Sequence, residues 1–125
     1  MPRNWVSFPP LSLPVIAVRV RDTIVRALAD TGAAQSLIDP RLVRQLGLTA
    51  AGTRQIIGLG TAPLQVHLVT LDSVVLGRCP LVSFTAGIVD LTHLRLGIQL
   101  LLGLPAFRGY RLQFDLADGR LDLFA

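Results

Sequence analysis

Residues 27–39 read Ala-Leu-Ala-Asp-Thr-Gly-Ala-Ala-Gln-Ser-Leu-Ile-Asp (ALADTGAAQSLID). A strand-like run, Ile24 to Ala29, delivers Asp30 into small apolar company, and Ser36-Leu37-Ile38 then resumes an extended pattern. Gly32 lets the backbone bend at once, the Thr31 hydroxyl can fix the loop, and Ala33 and Ala34 keep the surroundings small. Apolar surroundings of this kind disfavour the ionised form of a carboxylate. Asp30 is thus either a turn residue capping nearby amides or an acid whose protonation state is useful.

Working outward, "PVIAVRVRDTIVRALAD" (residues 14–30) reads as a hairpin. Ile16, Val18 and Val20 alternate with Ala17, Arg19 and Arg21, and Arg21-Asp22 falls where a two-residue turn belongs. "DPRLVRQLGL" carries the helix signals: Asp39 as N-cap, Pro40 at the first helical position and Gly47 as the stop. "TRQIIGLGTAPLQVHLVTLDSVVLG" predicts two strands around a glycine-rich tip, Gly58-Leu59-Gly60, with Val66, Leu68 and Thr70 sharing a face. "CPLVSFTAGIV" is a further strand region, and "IQLLLGLPAF" a buried strand running into a turn. "YRLQFDLADGRLDLF" predicts a closing hairpin, with Tyr110, Leu112, Phe114 and Leu116 on one face and the turn at Ala117-Asp118-Gly119. Residues 1–13, rich in proline, are expected to be irregular and to serve as a dimer-contact segment; residues 14–125 form one domain. The fold class expected is all-β, with one or two short helices.

Composition narrows the function. The 125 residues are 51% hydrophobic, enough for a core in one domain and too apolar for disorder. Every cation is Arg and every anion is Asp, which reads as the imprint of a GC-rich genome rather than of a partner. The 12 arginines are scattered and not interleaved with aromatics, so a nucleic-acid surface is not expected. The longest uncharged apolar stretch, Leu96 to Phe107, is far short of the roughly 20 residues a membrane helix needs. "MPRNWVSFPP" lacks the apolar core of a signal peptide, and a cytoplasmic, soluble protein is expected. One cysteine, Cys79, excludes an internal disulfide. His67 and His93 have no suitably spaced companions, so no metal site is expected, and Ser36 and Ser83 lack a nucleophile elbow.

One carboxylate in so small a chain is a weak catalyst. Two copies related by a two-fold axis would bring their Asp30 side chains together. The two could not both ionise, which yields a general acid and a general base at one point.

These pieces together resemble the retropepsins, single-domain aspartic proteases of retroviruses and their bacterial relatives, in which such a shared-proton pair is the known chemistry. The resemblance covers about residues 14–125. It rests on the opening hairpin, the Ala-Leu-Ala-Asp-Thr-Gly-Ala run, the Ser-Leu-Ile strand, the "RLVRQLGL" helix, the "IIGLG" flap-like tip and "LLGLPAFRGYRLQFDLADGRLDLFA". In that last stretch Gly103, Arg108, Tyr110, Phe114 and Asp115 are similar to the end of a pepsin-type lobe, whereas Leu104-Pro105 departs from the acidic or amide residue common after the glycine. The resemblance implies a retropepsin-like barrel, one lobe per chain, and a homodimeric aspartic endopeptidase without cofactor. Asp30 would be catalytic, Thr31, Gly32 and Ala33 would form the active-site loop, and Ile57, Gly58, Leu59 and Gly60 the flap over a peptide substrate. Apolar walls at Ile56, Ile57 and Leu59 imply apolar side chains beside the scissile bond. The alternative is a catalytically inactive retropepsin-like dimerisation or peptide-binding domain.

Overall fold

In the hairpin of Val15–Val20 and Thr23–Ala29, Val20 pairs with Thr23 across a two-residue turn. Arg21 takes a left-handed backbone (φ 54°) where glycine would be usual. It is held there by two bonds of its own: its N–H donates to the Ser73 carbonyl and its guanidinium to the Leu46 carbonyl, each at 2.9 Å. The computed structural model describes residues 4–57 and 62–125. In chain order the strands are β1 (Trp5–Ser7), β2 (Val15–Val20), β3 (Thr23–Ala29), β4 (Ser36–Ile38), β5 (Thr53–Ile56), β6 (Leu64–Leu71), β7 (Val74–Leu76), β8 (Cys79–Pro80), β9 (Phe84–Ile88), β10 (Leu100–Leu102), β11 (Arg111–Asp115) and β12 (Arg120–Phe124). The α-helix, α1 (Pro40–Leu46), follows β4. The mostly β architecture agrees with the expectation. No described helix is long and apolar enough to cross a membrane.

Two sheets result. The larger has the order β5-β6-β9-β4-β10-β3-β2-β7-β8, and the smaller β1-β12-β11. At the centre of the larger sheet β10 is inserted between two strands that are neighbours in sequence, parallel to β3 and antiparallel to β4. The loop joining β3 to β4, residues 30–35, therefore has to arch across the end of β10.

The central strands bury both faces. Val25, Ala27 and Ala29 of β3, Ile38 of β4, and Leu100 and Leu102 of β10 enter the main core. Leu28, Leu37 and Leu101 point the other way, into a smaller cluster with Ile56, Val66, Leu68, Leu91 and Ile98. This explains a departure along β6. Val66 and Leu68 share a face as expected, but Thr70 does not bury with them: the alternation changes phase and Val69 and Leu71 become buried. The strand leaves the small cluster and joins the main core, and a strict period of two cannot serve both.

The amino-terminal segment is more ordered than its prolines suggest. Trp5, Val6 and Ser7 pair with Asp122, Leu121 and Arg120. Phe8 and Leu11 then donate to the carbonyls of Gly119 and Leu116 at 2.9 and 2.8 Å. Arg120 lies over the Trp5 ring, 4.8 Å from its centroid, and forks onto Asp122 at 2.9–3.1 Å. Asp122 is consequently buried rather than on an exposed strand face. In the same hairpin the stripe Tyr110, Leu112, Phe114 is only half-buried, and Leu116 is 54% exposed.

The start of α1 is a charged knot. Asp39 is 3% exposed and caps the helix by accepting from the Arg41 N–H at 2.9 Å. It also accepts from the Leu91 N–H (3.1 Å) and the Arg41 guanidinium (2.8 Å), which reaches on to Asp90 at 3.2 Å. Burial pushes the Asp39 carboxyl up, but these bonds outweigh it and hold it below the ordinary value. Thr92 hydroxyl and N–H, with help from Arg41, bring Asp90 down to about 2.

Folding depresses both groups, so their contribution is complete above the unfolded-chain value of about 3.9 and is lost as pH falls through the lower folded values. Urea midpoints should stay level down to about pH 5 and drop steeply below about pH 4. Asp39→Asn should lower the plateau by about 1–3 kcal/mol and make the acid arm shallower. An unchanged acid arm in that variant would remove Asp39 from this role.

Candidate active site

β3 ends at Ala29, and Asp30 begins the arch over β10. The Asp30 N–H donates to the Leu102 carbonyl at 2.9 Å, the Asp30 carbonyl accepts from Ala33 (3.2 Å), and Leu104 donates to the Ala33 carbonyl at 2.9 Å. The carboxylate turns back on its own loop, Oδ1 accepting the Gly32 N–H at 3.0 Å. The reason for glycine at position 32 is thereby sharper than a simple bend. A Cβ there would stand 3.2 Å from Asp30 Oδ1, and its φ lies outside the left-handed region. The loop closes on the carboxylate.

Two further residues lock the arch from beneath. Ser36, 1% exposed, accepts the Gly103 N–H on its Oγ at 2.9 Å. Gly103 has no room for a side chain, since a Cβ would meet the Ala33 carbonyl oxygen at 2.8 Å and the Gln35 carbonyl carbon at 2.9 Å. Sequence reading singled out Ser36 only to dismiss it as a nucleophile. The signal for its real role was the pair of a buried-strand Ser and a Leu-Leu-Gly end, which only the insertion of β10 makes neighbours. The unusual Leu104-Pro105 opens a 3₁₀ turn, Leu104–Phe107, that leaves both residues exposed and buries Ala106 and Phe107. The bond from Leu104 to Ala33 needs only a backbone N–H, so it survives the departure.

Thr31 is exposed, and among the described residues its hydroxyl makes no hydrogen bond, so it does not grip its own loop as expected. Ala33 is half-buried at the cleft wall. Ile56 is buried in the small cluster while Ile57 is 81% exposed at the end of the β5 arm. Gly58, Leu59 and Gly60 lie outside the described residues. The carboxylate itself is half-buried in the single chain, less enclosed than its apolar neighbours in sequence suggested.

Asp30 stands between two hollows. One, of about 640 Å³, is walled by Ala33, Leu37, Arg54, Ile56, Ile57 and Leu101. The other, of about 560 Å³, is lined by Leu13, Pro14, Leu28, Thr31, Phe114 and Leu116. Across the first, the Arg54 guanidinium donates to Gln35 Oε1 at 2.6 Å. Gln35 in turn donates its Nε2 to the carbonyls of Thr85 (3.1 Å) and Ser36 (3.2 Å). No sequence motif pointed to this pair. His67 and His93 are exposed and take no part, and the described residues contain no cluster of three potential metal ligands.

A sequence model of an aspartyl protease family matches residues 16–106. No curated protein matches. Among solved structures, the chain is similar to a retropepsin-like aspartic protease from Rickettsia conorii, with a TM-score of 0.66 at 20% identity, covering 95% of this chain and 87% of that one. It is also similar to the retroviral protease-like domain of Ddi1 from Leishmania major, with a TM-score of 0.57 at 13% identity, covering 91% and 95%. The likeness places the fold and covers nearly the whole chain.

Two substitutions test the lock under the arch. Gly103→Ala meets unyielding backbone and should cost about 1–3 kcal/mol. Ser36→Ala strands a buried N–H, at a similar cost of about 1–3 kcal/mol. Denaturant midpoints at neutral pH report both, and a neutral Gly103→Ala would mean that the arch is loose.

Proposed function

Because the chain belongs to the aspartyl protease family, we propose that it is an endopeptidase that works as a homodimer, one Asp30 from each copy meeting at the two-fold axis. The observation that carries this reading is the position of Asp30 between two unlike hollows. The first is of a size and lining suited to an extended peptide. The second is mostly apolar and exposes Leu13 (53%) and Leu116 (54%), with Leu11 (84%) close by in sequence. A second copy seated there covers it, with residues 11–13 in contact, and brings the exposed Thr31 of each loop to the partner.

In the assembled site one Asp30 is ionised and the other protonated. The ionised one takes a proton from a water molecule, whose oxygen attacks the scissile carbonyl carbon. The protonated one gives its proton to the carbonyl oxygen, and a gem-diol forms. In the collapse the carboxyl group that took the water's proton gives it to the amide nitrogen, the ionised carboxylate takes a proton from a gem-diol hydroxyl, the C–N bond breaks, and acid and amine leave with the dyad again holding one proton. The Gly32 N–H fixes the orientation of the carboxylate. Ala33 and Gly103 keep the loop from moving as charge shifts, so little reorganisation accompanies the step. We assign the flap role to Ile57, Gly58, Leu59 and Gly60, which would cover the substrate and exclude water. Apolar walls at Ile56, Ile57 and Leu101 favour apolar side chains beside the cut. No metal or organic cofactor enters this chemistry.

The test joins cleavage to assembly. The wild-type protein should cut an unstructured protein at acid-leaning pH and scatter light as a dimer. Asp30→Ala should remain a dimer and lose at least about a thousand-fold in kcat/KM. Leu116→Asp should yield a monomer without activity. Equal cleavage by wild type and Asp30→Ala overturns the mechanism. Peptide binding without cleavage at any pH assigns the chain to the non-catalytic alternative.

A further inference from the structure

The Arg54–Gln35 pair has no part in the chemistry above. Arg54 sits on β5 and lines the same hollow as Asp30. Gln35, pinned by its two carbonyl partners, takes one guanidinium donor at 2.6 Å and so fixes where the cation stands. A neutral amide does not cancel its charge. All eight aspartates are described, and the ion pairs among described residues are those of Arg41 and Arg120; Arg54 has none, not even with Asp30, the one acid of its hollow.

An arginine on an exposed strand is ordinarily a solubilising group. Two features separate this one from that role: it is clamped, and it is clamped at the wall of the cleft that receives the substrate. We infer that Arg54 is a specificity residue that reads a carboxylate on the substrate, so that the preferred peptide carries Glu or Asp a few residues from an apolar scissile pair. This inference rests on the protease reading and names its substrate class. In open water an Arg–carboxylate contact contributes little. Under a bound peptide, in a hollow that Ile56 and Ile57 also line, water is displaced and the contact strengthens. The guanidinium retains donors for a two-pronged bond to a carboxylate, a geometry lysine lacks. Two-fold symmetry places one Arg54 toward each end of the assembled cleft, so an acid is favoured on either side of the cut. Apolar recognition at the centre and acidic recognition at the ends are thus separate and compatible.

Peptides with an apolar scissile pair, carrying Glu or Gln at each of the neighbouring positions in turn, test this at about pH 6, where glutamate is ionised. At one position or more, wild type should cleave the Glu peptide about 5- to 50-fold better in kcat/KM than its Gln twin. The ratio should shrink in about 0.5 M NaCl, fall to near one in Arg54→Gln, survive in part in Arg54→Lys, and reverse toward Lys peptides in Arg54→Glu. A purely structural arginine would lower cleavage of both twins alike and leave the ratio unmoved. A wild-type ratio near one at every position, or a ratio that Arg54→Gln leaves intact, overturns the inference while the protease reading stands. If wild type cuts none of the peptides, the protease reading fails instead. Fluorescence anisotropy of the same Glu and Gln peptides on wild type and Arg54→Gln then decides the role of Arg54 by affinity alone.

Discussion

Three hydrogen bonds meet within three residues at the end of β10. Leu102 accepts from Asp30, Gly103 donates to Ser36 Oγ, and Leu104 donates to Ala33. Two of them tie different points of the 30–35 arch, and the third ties the first residue of β4, to the same strand end, so the arch is held at both ends. The insertion of Leu100–Leu102 between β3 and β4 makes this geometry obligatory: the loop that crosses a buried strand must satisfy the strand's terminal groups or leave them orphaned. The carboxylate at the start of the arch inherits that rigidity. A carboxylate on an ordinary surface turn would be free to reorient; here the folding of the central sheet has already ordered it.

The second consequence of the insertion is that the strand ends packed beside it bury both faces. Residues of β3, β4 and β10 serve the main core on one side and the small cluster on the other. The small cluster is the floor of the cleft as well as a packing unit, since Leu37, Ile56 and Leu101 belong to both. The shape of the cleft and the stability of the fold therefore draw on the same side chains. A change that enlarges or reshapes the cleft at Leu37 or Leu101 also disturbs the packing beneath the arch, whereas Ile57 and Arg54, on the exposed arm of β5, are free to vary without that cost.

The charge pattern divides in the same way. Asp39, with Arg41 and Asp90, and Asp122, with Arg120, are structural acids, each held by bonds that keep it occupied. Asp30 is different in kind: its bond in the chain comes from the Gly32 N–H two residues on, and it faces open hollows on two sides. Arg54 stands opposite it as a cation held by an amide. The cleft thus carries one carboxylate and one guanidinium, each bonded to a neutral partner that leaves its charge uncompensated.

Local periodicity and turn chemistry were enough to read the opening hairpin, the capped helix, the closing hairpin and the Asp-Thr-Gly-Ala loop, because each is decided by residues within a few positions of one another. The chain's order of motifs was likewise enough to suggest the retropepsin-like fold. What local order could not decide was which strands would lie side by side. That Ser36 supports Gly103, that Gln35 clamps Arg54, that Trp5–Ser7 leave a proline-rich segment to pair with β12, and that β6 changes face at Val69 all follow from contacts across tens of residues. Even the exposure of Leu116, on a stripe read as one apolar face, is a tertiary fact: the pattern marks a face as apolar, but only the packed chain decides whether its own core or another surface covers it.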